Sequence, residues 1–180
     1  MTGSPWRPSW RADPAARALA DRHYTRQTHG AAQFVPPGRC LVLLTADKTA
    51  LWVTSWPFPQ FVRHAWPGAW VCQIFRNENP AAHLSSDLIT RAVAHTRARW
   101  PAVPAAGIVT FVDPARTEAK DIPGWCFLRA GWSHVGFTKS GLWAYQQLPG
   151  QRIGRRGRPM PGPEPVPGAQ AALFSLEDVA

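Results

Sequence analysis

The chain predicts a mixed α/β (α+β) fold, with a mostly antiparallel central sheet, flanking helices and a basic tail. Three observations carry this expectation. The stretch from Ala69 to Pro114 reads as strand, loop, helix, strand. Two pairs of β-prone runs, 39–45 with 50–56 and 132–138 with 142–148, are each joined by a short turn, which is the pattern of hairpins. Hydrophobic residues make up 45% of the 180 positions, enough for a core, yet no run of apolar residues is long enough to cross a membrane. The expected organisation is one domain over residues 1–149 and a Pro/Gly/Arg-rich tail over 150–180.

In chain order, the first ten residues are polar and rich in Pro and Trp, without the apolar core of a signal peptide. The reading is a cytoplasmic protein. Asp13–Pro14 opens the first helix, with Asp as cap and Pro at the first helical position. The helix runs to Asp21–Arg22–His23–Tyr24–Thr25–Arg26 and frays towards Gly30. Residues 33–38 form a loop stiffened by Pro36 and Pro37, which hold Phe34 as part of a binding wall. Arg39–Thr45 is a buried strand, 46–49 a turn, and Ala50–Trp56 the returning strand. Residues 57–69 make a long loop of prolines and aromatics that includes Arg63, His64 and Trp66; loops of this length often carry function.

Trp70–Phe75 is the next strand, broken at Arg76–Pro80. Leu84 to Trp100 has helical spacing, with Leu84, Leu88, Ile89, Ala92, Val93 and Trp100 on one face, and Pro101 and Pro104 stop it. Ser85 and Ser86 stand at the helix start. They form an ordinary N-cap or, on the sharper reading, a seat for a pyrophosphate. Residues 107–112 form a strand ending on Asp113–Pro114. A short helix at 125–130 closes on Gly131, and the last hairpin follows. The remainder, with Arg152, Arg155, Arg156 and Arg158 clustered among Pro and Gly, reads as a disordered tail.

The formal net charge is +9 and the isoelectric point about 10.7. Residues 1–150 hold 16 Lys/Arg against 8 Asp/Glu, so the excess belongs to the folded part. Such a domain suits a polyanion, either nucleic acid or a CoA-type cofactor. Ten tryptophans are too many for the core of so small a domain, so some should line a cleft where a base can stack. Cys40, Cys72 and Cys126 lack metal-ligand spacing and read as structural thiols.

The element order resembles the GNAT acyltransferase fold, in which a splayed central strand admits a pantetheine arm and the next helix start holds the pyrophosphate. Trp70–Arg76 and the start of the 85–100 helix would be those parts. The ending "Ala-Gly-Trp-Ser-His-Val-Gly-Phe" also resembles that family. The glycine-rich phosphate loop is replaced by "Arg-Asn-Glu-Asn-Pro-Ala-Ala-His-Leu-Ser-Ser". A narrower resemblance is to the Mom-like branch of phage DNA-modification proteins. It rests on His23–Tyr24 after the first helix, Phe75–Arg76 at a strand end, Leu84–Ser85–Ser86 at a helix start and Phe111–Val112–Asp113–Pro114. One position departs, with Phe127 standing where that branch has a proton-donating Tyr.

The resemblance implies a transferase that modifies the exocyclic amine of adenine in DNA and so protects it from restriction. His23, Tyr24 and Asp113 would be catalytic, with His23 as base, Asp113 orienting it or binding the amine, and Tyr24 donating to a leaving group. Arg76, Ser85 and Ser86 would bind an acyl-CoA or related donor, and His, Tyr and Asp leave iron open as a cofactor. A base in duplex DNA must be flipped out, so Phe34 and Trp66 would stack it, while Arg63, Arg152, Arg155, Arg156 and Arg158 hold phosphates. Gln170, Leu173 and Phe174 resemble the peptide with which bacterial proteins dock on the replication sliding clamp. Two rival readings are an ordinary N-acetyltransferase for a small amine or a protein, and a non-catalytic DNA- or clamp-binding module.

Overall fold

A computed structural model describes residues 4–62, 64–117 and 122–151. The described part is a mixed α/β fold with seven strands, mostly in antiparallel pairing. It divides into two compact units: one drawn from Met1–Trp56 and Val71–Val103, the other from Pro57–Trp70 and Pro104–Ala180.

The first unit contains strands β1 (Trp6–Ser9), β2 (Arg39–Thr45), β3 (Ala50–Trp56) and β4 (Trp70–Asn77, beyond its first residue). Its helices are α1 (Pro14–Asp21) and α2 (Ser85–Arg99). The strands lie in the order β1-β2-β3-β4, each antiparallel to the next. Period-two alternation divides the side chains between two faces. Val42, Leu44, Leu51, Val53 and Ile74 pack with Ala16, Leu19 and Ala20 of α1 and with Phe34 and Val35. On the other face, the Trp52 indole N–H donates to Thr54 Oγ1, which lies 3.2 Å from Thr96 Oγ1 of α2. Thr96 in turn donates to the Ala92 carbonyl at 2.9 Å. This relay lets a buried sheet face carry polar atoms without leaving the indole N–H unsatisfied. Register slips between Val53 and Thr54, so that Gln73 is the extra residue of a bulge on β4.

Asp13 caps α1 as expected, accepting from the Ala15 N–H at 2.9 Å, but the helix ends at Asp21, earlier than its extension to Arg26. The cause is the Asp21 carboxylate. It binds Arg26 Nε at 2.7 Å and the Gly30 N–H at 3.1 Å, which folds the following residues into a loop. Strand β1 is an addition to the expected elements. Trp6 is buried and its indole N–H donates 2.9 Å to the Leu88 carbonyl of α2. Pro8 is tolerated because β1 is an edge strand.

The second unit holds β5 (Ile108–Val112), α3 (Trp125–Arg129), β6 (Ser133–Phe137) and β7 (Trp143–Gln147), with strand order β5-β7-β6. A 3₁₀ turn at Pro59–Phe61 interrupts the long aromatic loop. Trp132 and Tyr145 are fully buried, and Phe127 packs between them with ring centroids 5.1 and 6.1 Å away. Gly107 has φ +63°, and a Cβ there would stand 2.0 Å from the Gln147 carbonyl oxygen. Only glycine allows β5 to begin so close to β7.

Candidate functional site

The end of α1 delivers His23 and Tyr24 to the end of β4. His23 is 8% exposed, and its Nδ1 accepts from the Thr25 N–H at 3.3 Å and lies 2.8 Å from Thr25 Oγ1. The ring also hydrogen-bonds the Phe75 backbone. Burial, followed by the nearby Arg76 charge, pulls its pKa down to about 4, so the imidazole is neutral at pH 7. With Nδ1 turned to Thr25, the other ring nitrogen is the donor to the Phe75 carbonyl. Tyr24 is half-buried and stacks on His23, with centroids 4.3 Å apart and planes 28° from parallel.

Arg76 is locked beside this pair. Its Nη1 donates 2.7 Å to the Arg22 carbonyl and its Nε 2.6 Å to Glu78, which also takes both Nε and Nη2 of Arg22. The two guanidinium groups hold the Glu78 carboxyl well below the usual range. The next residue, Asn77, continues the chain of contacts to α2. Its Nδ2 donates to the His83 carbonyl at 2.7 Å and to Ser85 Oγ at 3.0 Å. His23, Tyr24 and Arg76 therefore meet on the α1 face at the end of β4, while Asn77 holds Ser85 and the start of α2 on the other face.

The start of α2 differs from the expected Ser cap. Leu84 is the N-cap, with extended backbone and no side-chain hydrogen bond, and Ser85 and Ser86 are the first two helical residues. Ser85 stands one position past the cap, and its hydroxyl accepts from Asn77 instead. The helix therefore presents the Ser85 and Ser86 backbone N–H groups without a capping side chain, which fits an anion. Arg76 shares the one Glu78 carboxylate with Arg22, so this cluster keeps a net positive charge. The pair His23–Tyr24 offers no ready iron site, as both imidazole nitrogens are engaged. No cluster of three His, Cys, Asp or Glu side chains placed to hold a metal occurs among the described residues.

Asp113 belongs to the second unit, one residue past β5. It accepts from the Ala115 N–H at 2.9 Å and lies 3.8 Å from Arg116 Nε. In the same unit His64, Trp66 and Phe111 form an aromatic cluster, with centroid separations of 6.4, 5.6 and 5.8 Å. His64 is 8% exposed, accepts from the Trp66 N–H through Nδ1 at 3.2 Å, and is pulled down to about 4 by burial. Trp66 is half-buried in this cluster.

Phe34 is 6% exposed and packs in the core against α1. Its ring area is used there and leaves no face to stack a base, which corrects its assignment to a binding wall. Arg63, Arg152, Arg155, Arg156, Arg158, Gln170, Leu173 and Phe174 lie outside the described residues. All three cysteines are thiols, and burial pushes Cys126 up to about 11. Of the ten tryptophans, Trp6, Trp52, Trp70, Trp100 and Trp132 are buried, and Trp10 and Trp125 are largely exposed. Sequence reasoning did not find Glu78 as the clamp between Arg22 and Arg76, nor Phe111 beside His64. The first left a trace in the spacing Arg76–Glu78; the second needed the fold of the long loop.

No protein-family model, no curated protein and no solved structure matches the chain.

Proposed function

We propose that this chain is a GNAT-like, Mom-like transferase that modifies the exocyclic amine of adenine in DNA. The meeting of His23, Tyr24 and Arg76 at the end of β4 carries the reading. These residues belong to two of the four motifs on which the resemblance rests, and Ser85 of a third starts the helix held by the next strand residue, Asn77. In the reaction a new bond forms from the adenine nitrogen to the donor carbon, the donor's bond to its carrier breaks, and the amine loses a proton. A neutral His23 accepts that proton only after Nδ1 releases the Thr25 N–H. Tyr24, stacked on it and half-exposed, is the group that reaches the substrate. The resemblance gives Asp113 the role of orienting His23 or binding the amine.

The donor is an acyl-CoA or related carrier whose phosphates sit on the uncapped start of α2. Its chemistry is to supply an activated carbon to the amine. The partner is DNA in the cytoplasm, with the base flipped from the stack and Trp66 as the aromatic that receives it. Gln170, Leu173 and Phe174 dock the tail on the sliding clamp.

The test is the restriction pattern of plasmid from cells that express the chain. Resistance to endonucleases whose sites contain adenine, with full cutting at sites of G·C pairs alone, supports the reading. Complete cutting by both classes contradicts it. Acetyl-CoA binding by the purified chain together with complete cutting moves the assignment to an ordinary N-acetyltransferase.

A further inference from the structure

At the far end of the first unit from His23 lies an open cleft of about 330 Å³. Its lining residues are Arg11, Gly38, Arg39, Cys40, Arg99 and Trp100. Three cations and no carboxylate line it. The two ends are separate places. Register pairs Ala50 with Asn77 at the His23 end and Arg39 with Trp56 at the other. From its start beside Asn77, α2 runs 15 residues, roughly 22 Å at 1.5 Å per residue, to Arg99 at the cleft.

The arginines at the two ends are treated differently. Near His23, Arg22 and Arg76 are paired with Glu78, and Arg26 with Asp21. Around the cleft, Arg11, Arg39 and Arg99 make no ion pair with any described residue. Arg11 is nevertheless fixed: its Nη2 donates to the Gly38 carbonyl at 2.6 Å and contacts Cys40 Sγ at 3.2 Å. Arg39 lies 5.3 Å over the Trp56 ring, and Trp56 meets Trp100 edge-on at 5.8 Å. The C-terminal end of α2 accounts for a cation at Arg99, but not for Arg11 and Arg39, which come from a loop and from β2. Three like charges held around one cleft repel one another unless an anion joins them.

We propose that this cleft is a phosphate-binding surface that holds the backbone of DNA, at a distance from the modification site. The proposal rests on the reading that DNA is the substrate. Guanidinium groups match phosphate oxygens in a two-pronged geometry, and the Arg39–Trp56–Trp100 wall extends the cationic surface beside the cleft. That arrangement suits successive phosphates of one strand. Such contacts fix where the duplex lies and read no sequence.

The experiment measures fluorescence anisotropy of a labelled DNA duplex with the full chain, between about 50 and 200 mM salt. In R39A/R99A both substituted side chains are exposed. Each lost phosphate contact lowers the steepness of log K against log[salt] by about 0.9, so the double variant should lose about 1.8, equally for unrelated duplex sequences. R17A/R91A removes the same charge elsewhere in the unit and should leave the slope near wild type. An unchanged slope in R39A/R99A, or an equal fall in the control pair, overturns the proposal. Displacement of the duplex by millimolar inorganic phosphate at constant ionic strength also overturns it, assigning the cleft to a small anion. A lowered slope with unmodified plasmid keeps the surface and removes the modification reading. Modified plasmid with an unchanged slope does the reverse.

Discussion

Acidification from pH 7 to pH 5 should destabilise this protein through two buried imidazoles. His23 and His64 are each 8% exposed and each held near a pKa of about 4, against an ordinary 6.5. Between those values the unfolded chain binds a proton that the folded chain refuses, so stability falls as pH falls from about 6.5 towards 4 and levels off below. At 1.36 kcal/mol per pH unit, each histidine removes about 2 kcal/mol between pH 7 and pH 5. The depressed carboxylates Asp13, Asp21, Asp47 and Glu78 lose their contributions only lower, once pH drops through their unfolded values of 3.8 to 4.5. The window is therefore the imidazoles' own, apart from a smaller effect of the same sign from the exposed His134. Urea unfolding followed by tryptophan fluorescence measures the loss. His23→Gln keeps a donor and an acceptor at the site and takes no proton. It should flatten the dependence by about 2 kcal/mol over the same window. A variant whose stability follows pH as steeply as wild type would refute the assignment of a neutral, desolvated His23.

Other expectations are local. Gly107→Ala places a Cβ 2.0 Å from the Gln147 carbonyl oxygen at φ +63° and should cost about 3 kcal/mol or more in thermal unfolding. Gly68→Ala, at φ +80° with open space around it, should cost about 1 kcal/mol. Thr54→Val removes the acceptor of the buried Trp52 N–H and should cost about 2 kcal/mol, whereas Thr54→Ser should stay near wild type. Glu78→Gln weakens the clamp on Arg22 and Arg76. Its side chain is 30% exposed, so the loss at pH 7 should be about 1 kcal/mol. Because the folded carboxyl is depressed to about 2, the gap to wild type should close as pH falls from 4.5 through that value.

Strands β2 and β3 were legible to the residue because an apolar run, an Asp–Lys turn and a second apolar run leave no competing arrangement. The cap and the Pro at the start of α1 were legible for the same local reason. Strand β1 was hidden. Its proline and polar residues carry no strand signal, and it exists through pairing with β2 and the reach of Trp6 to Leu88. The end of α1 was misread because Asp21 turns back to bind Arg26 and Gly30, a contact between residues that a helix would hold apart. At the candidate site the residue types were visible, but their states were not. The Thr25 bond that occupies His23 Nδ1, the Glu78 clamp on Arg76 and the Asn77 bond that holds Ser85 Oγ all depend on packing. Phe34 shows the opposite failure: an aromatic between loop prolines looked available for a ligand, and α1 covers it.

The most direct measurement is mass spectrometry of nucleosides from plasmid DNA, prepared from cells expressing wild type, His23→Ala, Tyr24→Phe and Asp113→Ala. A new adenosine-derived nucleoside in the wild type, whose mass names the transferred group, is expected, with its loss in all three variants. A wild-type digest holding only the four ordinary deoxynucleosides, from cells in which the chain is folded and abundant, would contradict it.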